Sequence, residues 1–182
     1  KQLSDEPLVT FGLAEIDFEL GHFNQAIKEY ASLDNRLIYE QTGVSTYQRI
    51  GVSYASLGKF EVAIEFLEKA LEIEYDDAVA FELATILYDQ KEYQKANLYF
   101  KQIDTISPEF EGYEYGYALS LHAEHQTEEA LRLTQQGLST NPSDTRLLLL
   151  ASQLSYDLHD EQKAEDYLLK AKDNAEDLEE IA

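Results

Sequence analysis

The 182-residue chain carries 36 acidic against 14 basic side chains, a formal net charge of −22 and a pI near 4.3. That balance excludes the basic face that direct nucleic-acid binding needs, and anionic membrane surfaces repel it. A content of 44% hydrophobic and 27% charged residues marks a folded rather than a disordered chain, and the lack of cysteine excludes disulfides, thiolate metal sites and cysteine nucleophiles.

No apolar run approaches the roughly 20 residues that span a bilayer, so no membrane insertion is expected within these residues. The absence of methionine and a start at Lys1 imply a fragment or processed form. The compartment is left open: a cytoplasmic setting is the working reading, and an extracytoplasmic one follows if an upstream signal was removed.

The first expected element is a helix pair over about residues 7–40. Ala14 and Leu13 lie in its first helix, Gly21 at its turn, and Phe23, Ala26 and Tyr30 in its second. Three extra residues in the segment 36–43 predict either a prolonged second helix or a loop. A second pair over 44–76 places Ile50 and Gly51 in the first helix, Gly58 at the turn, and Phe60, Ala63 and Leu67 in the second. The third, over 77–110, repeats this with Leu83, Ala84, Lys91, Tyr93, Ala96 and Phe100, and Pro108 closes it because proline cannot continue the helical ladder.

A fourth pair over 111–144 offers Tyr117, Ala118, His125, Thr127, Ala130 and Thr134 before Pro142, and a fifth over 145–172 offers Ala151, Ser152, His159, Glu161, Ala164 and Leu168. The five alanines Ala26, Ala63, Ala96, Ala130 and Ala164 are spaced by 37, 33, 34 and 34 residues. Small residues twelve positions earlier, beside larger ones, are expected to let the paired helices approach, with Leu13, Ile50, Leu83, Tyr117 and Ala151 filling the space between them. Glycine at the first two turns favours the left-handed conformation that ends a helix, so the fourth and fifth turns, with histidine, are expected to stop less cleanly. The acid-rich residues 173–182 are read as a polar capping helix, the start of a sixth repeat, or a frayed tail, in that order.

Ile50-Gly51, Tyr54, Gly58, Phe60, Ala63, Leu67 and Ala70, with Leu83-Ala84, Tyr93, Ala96, Phe100, Ile103 and Pro108, resemble the tetratricopeptide repeat, and the resemblance covers roughly residues 7–172. It implies an all-α, right-handed superhelical solenoid of antiparallel helix pairs forming a single array, and a bacterial source fits the composition. It also implies a non-enzymatic interaction module whose first helices line a partner-binding groove: Phe11, Glu15 and Phe18, then Gln48 and Arg49, then Phe81, Tyr88 and Asp89, then Tyr115 and His122, then Gln153 and Tyr156. The expected partner is a protein or peptide with apolar anchors and basic residues, and the oligomeric state is unassigned.

The family's clustered Lys and Asn for gripping a terminal carboxylate are missing, Arg49 alone standing in those places. Two other readings keep the same fold: a peptide-sensing region of a transcription regulator, and the recruitment region of an enzyme whose catalytic domain lies elsewhere. His122 and His125 invite a metal reading, but no second ligand pair has matching spacing and His125 falls at a turn, so neither metal nor cofactor is expected. No phosphate loop, nucleophile elbow or zinc-protease signature occurs, and no catalytic residue is assigned.

Overall fold

The computed structural model describes residues 5–181, with side chains described for 6–174. The described residues form eleven helices and no strand. They fall into two compact units, Lys1–Gln90 and Lys91–Ala182. The first holds α1 (Asp5–Glu19), α2 (Phe23–Ala31), α3 (Asn35–Thr42), α4 (Thr46–Ser56), α5 (Phe60–Ile73) and α6 (Asp77–Asp89). The second holds α7 (Tyr93–Ile106), α8 (Tyr113–Ala123), α9 (Thr127–Thr140), α10 (Thr145–Asp157) and α11 (Glu161–Ile181).

Helices α2, α5, α7, α9 and α11 each begin three residues before one of the five alanines. Ala26, Ala63, Ala96 and Ala130 are fully buried and Ala164 nearly so. The small partner positions explain the close approach: a Cβ added at Gly51 would lie 2.8 Å from Leu67 Cγ and 3.2 Å from the Ala63 carbonyl oxygen. Where the fifth pair has serine instead, the Ser152 hydroxyl donates to the Ala164 carbonyl at 2.7 Å. Thr134, which breaks the apolar pattern, is fully buried yet satisfied, because its hydroxyl donates to the Ala130 carbonyl of its own helix at 2.8 Å.

All five turns adopt the left-handed conformation, at Gly21, Gly58, Lys91, His125 and His159, with φ between 61 and 76°. The expectation that the fourth and fifth turns, at His125 and His159, stop their helices less cleanly is therefore corrected. Gln126 N–H donates to the Leu121 carbonyl and Asp160 N–H to the Ser155 carbonyl, both at 2.9 Å, matching His22 to Asp17 at 2.8 Å in the first turn. Packing of α8 on α9 and of α10 on α11 imposes the turn at His125 and His159, and an L-residue in this conformation absorbs a strain of about 1–2 kcal/mol. Exchanging Lys91, His125 or His159 for glycine is expected to raise stability by about 0.5–1 kcal/mol each, after the entropic disadvantage of glycine in the unfolded chain. Thermal melts of the three single variants check this.

The joint after the first pair is neither a longer helix nor a loop. A separate short helix, α3, occupies it, opened by Asp34, whose carboxylate accepts from Leu37 N–H at 3.1 Å, and closed by Gly43 at φ 72°. Its first residue, Asn35, is buried, and its side-chain oxygen accepts from Ser45 Oγ at 3.1 Å, Thr46 Oγ1 at 3.0 Å and the Tyr47 N–H at 3.3 Å. The insertion thus anchors the start of α4.

Leu13 departs from its expected role. It is exposed, together with Val9 and Ile16 along the same side of α1 and Leu20 just after it. At the other end, α11 continues as backbone helix to Ile181. The side chains on which a capping reading of 173–182 depends lie, beyond residue 174, outside the described residues.

Candidate functional site

In the first unit, α1 and α4 bring Glu15 and Arg49, one repeat apart in sequence, into a two-pronged ion pair. Arg49 Nε and Nη2 donate to Glu15 Oε1 and Oε2, each at 3.0 Å. The Tyr30 hydroxyl donates to the same carboxylate, and the Arg49 guanidinium lies 4.8 Å from the centre of the Phe18 ring. Phe18 meets Tyr30 at 6.5 Å and Phe23 at 5.9 Å, and Phe11 meets Tyr30 at 6.2 Å between ring centres. Burial, then the bond to Glu15, pushes the Tyr30 phenol above its ordinary range, so it remains a donor at all working pH.

The structure therefore gathers Phe11, Glu15, Phe18 and Arg49 around one carboxylate, and the two aromatics are half-buried against the core formed by Ala14, Ala26, Tyr30 and Ile50. Gln48, the neighbour of Arg49 in sequence, is directed elsewhere. It lines a cavity of about 20 Å³ with Asn35, Tyr39 and Asp76, room for about one water. On α6, Phe81 and Tyr88 are half-buried and Asp89 is exposed.

Glu82 of α6 follows Phe81 and stands outside the groove set that the resemblance implies. Burial raises its carboxyl above the usual range, and the Arg49 charge partly counters this. Because the folded-state pKa is the higher one, the ionised group destabilises the fold once pH exceeds it, and the penalty vanishes below the unfolded value. Glu82→Gln is expected to raise the melting temperature at pH 7, the gain disappearing as pH falls through the carboxylate range. Parallel melts of the two proteins across pH check the sign.

In the second unit, Tyr115 of α8 packs against the cluster of Leu138, Leu147, Leu148, Ala151 and Ala171. Its ring lies 5.4 Å from the Arg146 guanidinium, which Asp144 holds at 3.1 Å. His122 bridges two helices: Nε2 is 3.4 Å from Asp157 Oδ2 and Nδ1 is 3.3 Å from Thr127 Oγ1. The other oxygen of Asp157 accepts from Gln153 Nε2 at 2.9 Å. Tyr156 is 62% exposed and, with Gln153, lines an open groove between α10 and α11.

His125 sits in its left-handed turn, where its backbone N–H donates to the His122 carbonyl at 2.9 Å. Among the described residues no three His, Cys, Asp or Glu side chains cluster as a metal site, and no helix is long and apolar enough to cross a membrane. Within each unit several of these side chains engage one another in pairs and chains, with aromatic rings beside them.

Antiparallel helix pairs recur within each unit, α1–α2 and α4–α5 in the first and α8–α9 and α10–α11 in the second, which is the architecture of an α-α repeat protein. A model described as "Tetratricopeptide repeat" matches residues 44–77, and one described as "YpiA-like, tetratricopeptide repeats" matches residues 1–36. The two matched segments thus carry tetratricopeptide repeats.

The chain is similar to the TPR repeat-containing protein YpiA of Bacillus subtilis (strain 168), with 24% identity over 169 residues, covering 93% of this chain and 40% of that protein. The chain thus spans about two fifths of the length of the curated relative it matches. Among solved structures, MamA of Desulfovibrio magneticus RS-1, from residue 41 to its end, aligns with a TM-score of 0.84 at 13% identity, covering 97% of this chain and 98% of that one. Another MamA crystal structure gives 0.82 at 17% identity, with coverage of 96% and 94%. These likenesses establish the fold, an all-α tetratricopeptide solenoid of antiparallel helix pairs.

Proposed function

We propose that the chain is a non-enzymatic module of five repeats that holds a protein or peptide against the faces of its first helices. The partner supplies apolar anchors and Lys or Arg side chains. One observation carries this reading: Arg49 is already claimed by Glu15 through two bonds of 3.0 Å. The base closest to a carboxylate-gripping role is therefore neutralised, while Glu82 stays half-buried with its carboxyl raised by desolvation. A cation brought by a partner restores what burial withholds from Glu82, and Phe81 and Tyr88 on the same helix provide apolar contact area. In the second unit, Tyr115, His122, Gln153 and Tyr156 serve the same purpose.

Selection from a random peptide library on the immobilised chain tests this. Enriched peptides are expected to pair Lys or Arg with bulky apolar residues, and Glu82→Lys combined with Tyr88→Ala is expected to weaken them by about tenfold or more. Enrichment of acidic peptides, or equal binding by the double variant, would overturn the reading.

A further inference from the structure

The insertion α3 begins on a buried amide whose two ends face different surroundings. Asn35 is 7% exposed. Its oxygen accepts from the Ser45 hydroxyl, the Thr46 hydroxyl and the Tyr47 N–H. A backbone N–H can only donate, so the atom facing Tyr47 is the oxygen and the amide nitrogen points away from the start of α4.

That nitrogen carries two donors and has no hydrogen-bond partner among the described residues. Nor is it sealed in apolar packing, because Asn35 lines the cavity of about 20 Å³ that Tyr39, Gln48, Glu74 and Asp76 also line. Leaving both donors unmet there would cost more than an ordinary hydrogen bond contributes.

Two carboxylates share this cavity. Asp76 caps α6 with one oxygen, which accepts from the Val79 N–H at 3.0 Å, and its other oxygen takes no bond among the described residues. The bond to Glu74 holds the Tyr39 phenol above its ordinary range. Ala70, Ile73 and Val79 complete the lining with apolar surface.

An occupant must therefore accept from the Asn35 amide and donate to a carboxylate, within a space that admits about one water. A cation suits the carboxylates but is repelled by the amide hydrogens, and an anion suits the amide but is repelled by both acids. Water does both, and the polar partners it needs are present.

We propose that the cavity holds one ordered water that bridges Asn35 Nδ2 to the acidic joint of Glu74 and Asp76. The bridge ties the insertion after the first helix pair to the joint between α5 and α6, so that α3 fastens two successive joints of the first unit to each other.

Two measurements on the whole chain test this. In solution, isotope-labelled protein reports cross-relaxation between water and side-chain amide protons. The Asn35 amide protons are expected to show a water NOE of the sign given by protons inside the folded protein. The exposed amides of Gln94 and Gln102 are expected to show only the weak effect of surface water. In crystals grown from a rubidium salt, one density peak is expected within about 3.2 Å of both Asn35 Nδ2 and a carboxylate oxygen of Asp76 or Glu74, without anomalous signal. Anomalous signal at that peak would assign the cavity to a monovalent cation and overturn the proposal. So would a cavity without density, or an Asn35 amide that behaves as Gln94 and Gln102 do.

Discussion

Truncating Phe100 to alanine is expected to lower the unfolding free energy by about 4 kcal/mol, within the range for a buried phenylalanine whose cavity cannot fully collapse. Phe100 is fully buried and stacks on Tyr117 of α8, with ring centres 5.8 Å apart and planes 20° from parallel. Its ring also fits against Gly116, where an added Cβ would stand 2.9 Å from Phe100 Cζ. The ring thus fills space that glycine leaves open, and neither neighbour can move in without shifting α8 toward α7. Gly116→Ala alone is expected to cost about 1–3 kcal/mol by overpacking. Combined with Phe100→Leu it costs less than the two single changes together, because the smaller side chain makes room for the methyl group. Denaturant unfolding with unchanged m-values checks both statements. A loss below about 1 kcal/mol for Phe100→Ala would show that the site collapses freely, contrary to the packing described.

Glu15→Ala is the second substitution with a large effect, expected at about 3 kcal/mol. Its carboxylate accepts both Arg49 bonds and the Tyr30 hydroxyl, and Glu15 and Arg49 side chains are each only 26% exposed. Removing the acceptor leaves a half-buried guanidinium without its counter-charge and a fully buried tyrosine hydroxyl without its partner, and such orphaned groups cost more than the intact pair contributes. A double-mutant cycle with Arg49→Ala is expected to return a coupling of about 1–2 kcal/mol, because the second change removes the orphaned charge. Glu15→Gln retains an acceptor for the hydroxyl and falls between wild type and Glu15→Ala. The same substitution releases Arg49 beside Phe18, so it is also expected to shift peptide selection toward acidic sequences.

The groove residues illustrate the limits of register. Glu15 and Arg49 were placed on one face by their position in successive repeats, and they meet in space. Phe11 and Phe18 were placed on the same face, yet both are partly drawn into the first pair's core, because Tyr30 is large enough to reach them. Gln48, one residue from Arg49, turns to the α3 side. Glu82 carries no signal in a chain so rich in acids and is singled out by burial, while Asp157 is bound to His122 and Gln153.

Periodicity was sufficient for the helices that begin at Phe23, Phe60, Tyr93, Thr127 and Glu161. Small residues at fixed offsets state where two helices touch, and this information is local to one repeat. The insertion α3 was not readable, because a spacing of 37 residues records a surplus of chain and not its conformation. Nor were the left-handed His125 and His159, since the packed pairs α8–α9 and α10–α11 impose that backbone on whichever residue stands there. A repeat motif assigns each side chain a place, but which of them are covered, as Tyr30, Leu67 and Phe100 are, and which stand exposed, as Leu13 and Leu168 do, is settled only when the helices are assembled.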